Sequence, residues 1–231
     1  MPIPFNADNL PQMQSEYVAW VDVMGTQSSM SRSISATANF IFKLHIAALQ
    51  AATPNIHLYP VMDGFYAACR ERNAMLDFLR GVFKAVADEF NAEAESHHRF
   101  CVRGGLAFGP VIHGRDCGLC ALELQNSPAH RDKILLGMPM VQAHLAERGA
   151  PPFGVFVHES ARVFAPAGID PLHWVWWKWA TGNANAQVTW TTLKIKLPEY
   201  LDWCVKRAQT IEYLTERIQA HKDMVTQYFE D

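Results

Sequence analysis

Two aspartates interrupt apolar, strand-like runs in this sequence of 231 residues. Asp22 stands near the end of the run 17–24, and Asp63 stands within the run 56–70, directly before Gly64. A carboxylate is costly to remove from water unless a positive group meets it. Two such carboxylates at strand ends or turns suggest a shared divalent cation, and oxygen ligands favour magnesium or manganese. The alternative is a pair of unrelated surface turns, because Asp-Gly is also a common hairpin signal.

The elements around these aspartates predict a ferredoxin-like βαββαβ core within an α+β fold. Apolar periodicity gives the order strand, helix, hairpin, helix, strand. In such a sheet the first strand and the hairpin can lie side by side, which would bring Asp22 and Asp63 together. The predicted elements are a strand over 17–24, a helix ending near Ala52, hairpin strands over 56–62 and 64–70, a helix over 73–94, and a strand over 100–107 that continues at 110–113 after a bend at Gly109.

The remaining sequence predicts extra strands and a long C-terminal helix. Four tryptophans crowd the segment 173–179, which is typical of a core or interface strand. We expect one domain over 1–231, with a core over 17–195 and a helix over 198–229 that serves packing or dimerisation. The other predicted elements are a loop over 114–132, a helix over 138–148, a strand over 153–158, a turn over 181–185 and a strand over 186–192.

Composition narrows the possible partners. The net charge of −3 gives no global basic field, so we expect no nucleic-acid partner. No apolar run is long enough to cross a bilayer, and the first residues lack a signal-like core, so we expect no membrane partner and a cytoplasmic location. The odd number of cysteines, 5, suits a reducing compartment. Cys117 and Cys120 form a lone CxxC, for which reduced thiols are favoured over zinc because two further ligands at similar spacing are missing.

Four segments, taken in order, resemble the catalytic domain of class III nucleotidyl cyclases over about residues 17–165. Each match is weak alone, but all of them fall on the expected elements. The segments are Val21-Asp22-Val23-Met24-Gly25, Val61-Met62-Asp63-Gly64, the strand from Val102 and Arg103 to Gly114, and Arg131-Asp132-Lys133-Ile134-Leu135-Leu136-Gly137 followed by Ala143 and Glu147.

The resemblance implies a two-metal reaction on a nucleoside triphosphate. Asp22 and Asp63 would bind two manganese or magnesium ions, and the Val23 carbonyl would complete one of them. Arg103 would contact the triphosphate, for which its forked guanidinium is suited. In this family the site forms between two chains, so the resemblance also implies a homodimer with shared sites.

Departures from the family pattern bear on the substrate. Tyr59 stands where adenylyl cyclases place a base-reading lysine, and Ile134 stands where the family has aspartate or threonine. Val141 and Leu145 stand where the family has its transition-state asparagine and arginine. The candidates to supply positive charge in their place are Arg148, Lys178 and Lys133, which the sequence does not rank.

A small cyclase-like chain with tyrosine at the base-reading position resembles the pyrimidine cyclases of bacterial Pycsar antiphage systems. The resemblance implies conversion of UTP to cyclic UMP and pyrophosphate, with a cyclic-nucleotide-activated effector downstream. Conversion of CTP to cyclic CMP and a purine cyclase with unusual base reading are alternatives. A further alternative is an inactive nucleotide-sensing module, which the missing asparagine and arginine favour and the retained Asp22, Asp63 and Arg103 oppose.

Overall fold

The computed structural model describes residues 3–230, in which a mixed β-sheet is covered by helices on both faces. The strands are β1 Gln14–Val23, β2 His57–Val61, β3 Gly64–Cys69, β4 Val102–His113, β5 Leu135–Leu136, β6 Val155–Val157 and β7 Trp176–Trp177. The helices are α1 Thr26–Arg32, α2 Ile34–Ala51, α3 Arg72–Ala92, α4 Leu122–Asn126, α5 Pro128–Arg131, α6 Met138–Glu147, α7 Glu159–Val163, α8 Ala184–Lys206 and α9 Thr215–Glu230. Within residues 3–230, no helix combines the length and the apolar character needed to cross a membrane.

The sheet has the strand order β2-β3-β1-β4-β6-β7, with β5 paired to β4. Strand β1 lies between β3 and β4 and is antiparallel to both, whereas β6 is parallel to β4. The order of the first four strands is that of a ferredoxin-like βαββαβ core, so the predicted fold class is confirmed. The register places Asp22 between Gly64 on β3 and Arg103 on β4.

The two faces of the sheet are covered differently. Odd-numbered residues of β1, such as Tyr17 and Val21, enter the main core with α2, α3 and α8. Even-numbered residues point to the opposite face, where α6 lies on β4 and β1. Gly105 permits this approach, because a β-carbon there would collide with the Ala143 carbonyl oxygen and lie 2.7 Å from the Glu147 backbone nitrogen.

Four predicted elements are corrected by the structure. The segment 114–132 is not a loop, since it holds a 3₁₀ helix at Gly114–Cys120 followed by α4 and α5. Only two residues of 173–179 form a strand. The strand predicted over 186–192 is part of helix α8, and the single C-terminal helix predicted over 198–229 is two helices, α8 and α9.

Helical burial periodicity explains the correction at α8. The buried residues Ala186, Trp190, Leu193, Leu197 and Leu201 recur every three or four positions, which is the spacing of one helix face. The side chain of Asn183 caps the first turn by accepting a hydrogen bond from the Ala186 backbone at 2.9 Å. Tertiary packing of this face therefore overrides the β propensity of the valine, threonine and tryptophan residues.

Candidate active site

A tight hairpin turn positions Asp63. Strands β2 and β3 pair up to Val61 and Gly64, so Met62 and Asp63 form a two-residue connection. Met62 has a φ of 46°, in the left-handed region that this kind of hairpin turn requires. The Thr26 hydroxyl, from the first residue of α1, donates a hydrogen bond to the Asp63 carboxylate. Thr26 thereby fixes the orientation of a carboxylate that the sequence places at the candidate metal site.

Asp22 lies at the end of the central strand, next to this turn. Its Cα partners are Gly64, the residue after Asp63, and Arg103 on the opposite neighbour. The chain then turns into α1 through Gly25, whose φ is 76°. The register therefore brings together Asp22, Asp63 and Arg103, with Val23 directly beside them in β1.

The Asp22 carboxylate is buried among negative groups. Its Oδ1 atom is buried and has no hydrogen-bond partner within residues 3–230. Burial raises the pKa of Asp22 to about 7, and the neighbouring carboxylates of Asp63 and Glu147 add to this rise. Arg103 and the Val23 backbone N–H only partly offset it. A cation bound here would offset this negative charge.

Arg103 forms an ion pair with Glu147, the last residue of α6. The Glu147 side chain is buried, and this burial raises its pKa despite the guanidinium beside it. The pair is made through the Arg103 Nε atom, and the terminal Nη groups form no hydrogen bond within the described residues. A guanidinium fork of this kind is suited to phosphate oxygens.

The donor set fits magnesium or manganese more closely than zinc. No cluster of three or more His, Cys, Asp or Glu side chains suited to a metal is found in the part of the chain that the structure describes. Magnesium is commonly held by one or two carboxylates together with substrate phosphates and water. Asp22, Asp63 and the Val23 carbonyl match that pattern, and the unpartnered Oδ1 atom of Asp22 is the observation that supports it.

Tyr59 lies in a second polar cluster, away from the two aspartates. Its hydroxyl is hydrogen-bonded to His113 Nδ1, and His113 Nε2 lies 3.0 Å from Glu16 Oε1. All three side chains are buried, and burial raises the pKa of Tyr59 to about 12. We call Glu16, His113 and Tyr59 the buried triad. Arg70 extends it by an ion pair with Glu16 at the surface.

The pKa of the triad carboxylate, Glu16, is shifted in the opposite direction from that of Asp22. Burial alone would raise the pKa of Glu16, but the hydrogen bond and charge of His113, with help from Arg70, bring it below the usual value. His57 lies beside the triad, where its Nδ1 atom is 2.7 Å from Arg115 Nη1. The pKa of His57 is lowered by its burial and then by the Arg115 charge.

The other predicted residues lie in separate places. Ile134 is half-buried beside Gly114, whose backbone N–H donates to the Ile134 carbonyl at 2.8 Å. Val141 and Leu145 are exposed on α6. Lys178 follows β7 at the other end of the sheet, so it is not near the aspartates. The sulfurs of Cys117 and Cys120 are buried and free.

Sequence reasoning missed three features of these sites. Thr26 carries a weak signal, a hydroxyl directly after the turn that ends β1. Glu147 belongs to the segment that resembles the cyclases, but its pairing with Arg103 spans 44 positions and has no local signature. The contact between Glu16 and His113 spans 97 positions, so only the folded sheet reveals it.

No family model and no curated protein matches the chain. A double mutant of the guanylyl cyclase domain of the RhoGC fusion protein from the aquatic fungus Blastocladiella emersonii is similar at 14% identity and a TM-score of 0.50, over 65% of this chain and 82% of that chain. This likeness is one of fold. The chain has the fold of a nucleotide cyclase domain.

Two further solved structures are similar to the chain. The guanylyl cyclase Cya2 matches at 13% identity and a TM-score of 0.49, over 70% of this chain and 89% of that chain. The guanylate cyclase domain of RhGC from Catenaria anguillulae, solved in complex with GTP, matches at 13% identity and a TM-score of 0.48, over 65% of this chain and 81% of that chain.

Proposed function

We propose that this chain is a pyrimidine nucleotide cyclase that converts UTP to 3′,5′-cyclic UMP and pyrophosphate. The observation that carries the proposal is the pair of neighbouring carboxylates, Asp22 and Asp63, with a buried and unpartnered oxygen on Asp22. No side chain forms a hydrogen bond with this oxygen within residues 3–230, and Arg103 offsets the surrounding negative charge only in part, so an external divalent cation would complement the site. The cyclase-domain fold supports the same activity.

The chain's own residues would hold and orient the triphosphate. Asp22, Asp63 and the Val23 carbonyl would bind manganese or magnesium, which lowers the pKa of the ribose 3′-hydroxyl and neutralises the polyphosphate. Thr26 keeps the Asp63 carboxylate in place through its hydrogen bond. The free Nη groups of Arg103 would bind phosphate oxygens as pyrophosphate leaves.

The choice of a pyrimidine rests on Tyr59 and Ile134. Neither side chain offers the lysine and acid that read adenine in the cyclases this chain resembles. The Tyr59 ring is buried and held by His113, so it fills space as a rigid group. The pyrimidine choice therefore rests on the sequence resemblance to pyrimidine cyclases, and UTP is proposed ahead of CTP.

We propose that two copies of the chain share each site. Glu16 and Asp22 are six positions apart on β1, so the buried triad and the aspartates are separated by about 20 Å along the strand. Exposed Val141 and Leu145 on α6 give the same face an apolar surface suited to a second copy. Two inactive variants, Asp22→Ala and Tyr59→Ala, should therefore recover part of the activity when they are mixed.

If the subunits are shown to exchange and activity is still not recovered, the proposal of a shared site is contradicted. A matched mixture of Asp22→Ala with Asp63→Ala is the control. Both substitutions damage the aspartate half, so no mixed site contains an intact one.

The central test incubates the pure protein with manganese and each of the four nucleoside triphosphates in separate reactions. We expect cyclic UMP and pyrophosphate from UTP, identified by mass, and no product when manganese is replaced by a chelator. Formation of cyclic CMP from CTP would show that the substrate is CTP, and the reaction class would stay the same. Product from a purine triphosphate alone would overturn the pyrimidine assignment.

A second candidate is an inactive cyclase-like module that binds a nucleotide. The observation in its favour is that Val141 and Leu145, at the positions of the missing asparagine and arginine, are apolar and exposed. Binding of a triphosphate without product in the four-nucleotide test would favour this candidate.

We further propose that the product is a second messenger in antiphage defence, which rests on the sequence resemblance. Cells that express the chain with its neighbouring genes should survive phage challenge, and cells that express the Asp22→Ala variant should not. Equal survival of both would contradict the defence role while leaving the cyclase assignment untouched.

A further inference from the structure

A groove unrelated to the aspartate site runs between β7 and helices α8 and α9. It consists of two adjoining depressions of about 500 Å³ and about 390 Å³, which share Lys178 and Thr181 in their walls. These volumes fall in the range of about 300–1,000 Å³ that is usual for small-molecule sites. We call it the tryptophan–lysine groove. It has no role in the proposed cyclase reaction.

One end of the groove presents unpaired aromatic surface. The Trp174 side chain is 49% exposed and the next residue, Val175, is 47% exposed. Trp174 takes part in no aromatic pair within residues 3–230, whereas the rings of Trp179 and Trp190 are stacked edge to face in the interior. A large exposed indole at the mouth of a depression is a platform for stacking a planar ring.

The other end presents two lysines. Lys178 Nζ lies 5.9 Å from the centre of the Tyr228 ring, and Lys194 Nζ donates a hydrogen bond to the Phe229 carbonyl at 3.0 Å. No aspartate or glutamate is among the described residues that line either depression. Neither lysine forms a salt bridge within residues 3–230, and two such ammonium groups attract an anion although the whole chain is acidic.

The remaining wall adds the neutral hydrogen-bonding side chains of Gln187 and Thr191. Gln187, Thr191 and Lys194 lie on one face of α8, since their spacing is four and three residues. The floor is apolar and closely packed. The centre of the buried Trp190 ring lies 5.1 Å from the centre of the Tyr228 ring and 4.8 Å from that of Phe229. A pocket with an apolar floor and a few convergent polar groups is typical of ligand sites.

We propose that the tryptophan–lysine groove binds a small planar anion of the nucleotide class, with its ring on Trp174 and its phosphate at Lys178 and Lys194. An exposed indole, together with two lysines that form no salt bridge within residues 3–230, suits a ligand that is aromatic at one end and anionic at the other. The acidic net charge disfavours a long polyanion, so the ligand is a mononucleotide and not a nucleic acid.

The test uses the full chain and AMP, which carries a purine ring and a phosphate but no pyrophosphate leaving group. Calorimetric titration is done in EDTA, so that no divalent cation assists binding at Asp22 and Asp63. We expect AMP to bind, and adenosine and inorganic phosphate to bind at least ten-fold more weakly. Trp174→Ala should weaken AMP binding by about ten- to a hundred-fold, as loss of one stacked base does elsewhere.

Matched variants separate the groove from general effects. Lys178→Glu should weaken AMP binding about ten-fold or more, whereas Lys206→Glu should leave it unchanged, because Lys206 is exposed on α8 outside the groove. Trp174→Tyr keeps an aromatic ring and should retain most of the binding. Thermal unfolding of each variant verifies that it is folded.

Several results would overturn the proposal. These are no AMP binding at millimolar concentration, equal binding of inorganic phosphate alone, or AMP binding that survives both Trp174→Ala and Lys178→Glu. Tighter binding of single-stranded oligonucleotides than of AMP would contradict the choice of a mononucleotide. Loss of AMP binding in Asp22→Ala would place AMP at the cyclase site. This result would also contradict the proposal that the tryptophan–lysine groove binds the nucleotide.

Discussion

Glu16 and Asp22 are acidic residues of one strand, β1, and their side chains point to the same face of the sheet. The Glu16 carboxylate meets His113 and Arg70, and its pKa is lowered although burial opposes this. The Asp22 carboxylate meets Asp63 and Glu147 in addition to Arg103, and burial with these neighbours raises its pKa to about 7. Each carboxylate keeps one buried oxygen without a hydrogen-bond partner within residues 3–230, so the two differ in the charges around them and in the direction of their pKa shifts.

The difference separates a structural role from a functional one. A buried charge that is already paired contributes to folding and has little left for a ligand. A buried charge surrounded by like charges weakens folding until a cation binds, which is typical of catalytic sites. We propose that Glu16 has a structural role at the Tyr59 end of β1 and that Asp22 binds an ion.

The largest expected effect is the loss of product on removing either metal-site aspartate. Asp22→Ala and Asp63→Ala should each lower cyclic-nucleotide formation by about a thousand-fold or more, because one carboxylate cannot hold two ions. The assay is product mass with manganese and UTP. Asp77→Ala is the control, since Asp77 is exposed and paired only with Arg80 on α3. Substantial activity in either variant would contradict the two-ion assignment.

Next in size is the effect of breaking the buried triad. Glu16→Ala should destabilise the protein by about 3–5 kcal/mol at pH 7, because a buried pair loses one partner. The lowered pKa of Glu16 means that its contribution is present above about pH 4.5 and is lost as pH falls through the folded-state value. Urea unfolding at pH 7 and pH 4 should show the difference between variant and parent shrinking at the lower pH. A constant difference would argue for lost packing alone.

Asp22→Asn should stabilise the protein when divalent cations are absent, whereas Glu16→Ala should destabilise it. The pKa of about 7, against an ordinary 3.8, means that ionised Asp22 opposes folding above pH 7 and ceases to do so below about pH 4. A shift of this size is an upper limit of about 4 kcal/mol, and solvent screening lowers it to about 1–2 kcal/mol. We expect the melting temperature of the variant to exceed that of the parent by about 2–8 °C at pH 8 in EDTA.

Two further measurements sharpen that result. The gain from Asp22→Asn should shrink at pH 5, where the parent carboxylate is protonated. Manganese should raise the melting temperature of the parent more than that of the variant, since binding to the native state stabilises it. Equal stabilisation of both proteins by manganese would show that the ion binds elsewhere.

The smallest expected effect concerns Tyr59. Tyr59→Phe removes the hydroxyl that meets His113, at a cost of about 1–2 kcal/mol. If the hydroxyl aligns the base-reading surface, preference for UTP over purine triphosphates falls about ten-fold. Competition assays with paired triphosphates measure this preference. An unchanged preference with lowered stability would make Tyr59 a packing residue of the triad.

The sequence predicted the aspartate half of the site because its signals are local. The hairpin signal at Asp63 and Gly64, together with the βαββαβ order, was enough to place Asp63 beside Asp22. The turn itself lies one position earlier than the Asp-Gly signal suggests, at Met62 and Asp63. The nucleotide choice, the metal ions and the residues that act on substrate stay predictions.

Long-range contacts could not be predicted in this way. The triad joins β1, β2 and β4, and its partners are separated by 54 and 97 positions. The sequence predicts a strand over 186–192, the first half of α8, because Val188, Thr189 and Trp190 favour strands locally. The helical spacing of its buried residues is evident only over the whole of α8, Ala184–Lys206.

Gly105 has a mechanical consequence for the aspartate site. Because the residue has no side chain, α6 rests directly on the sheet, and Glu147 at its end reaches Arg103. Any larger residue at position 105 would act as a wedge under this helix and lift Glu147 from the guanidinium. The absence of a side chain at Gly105 therefore sets the distance between α6 and the sheet. That distance determines how strongly the Glu147 charge acts on Asp22.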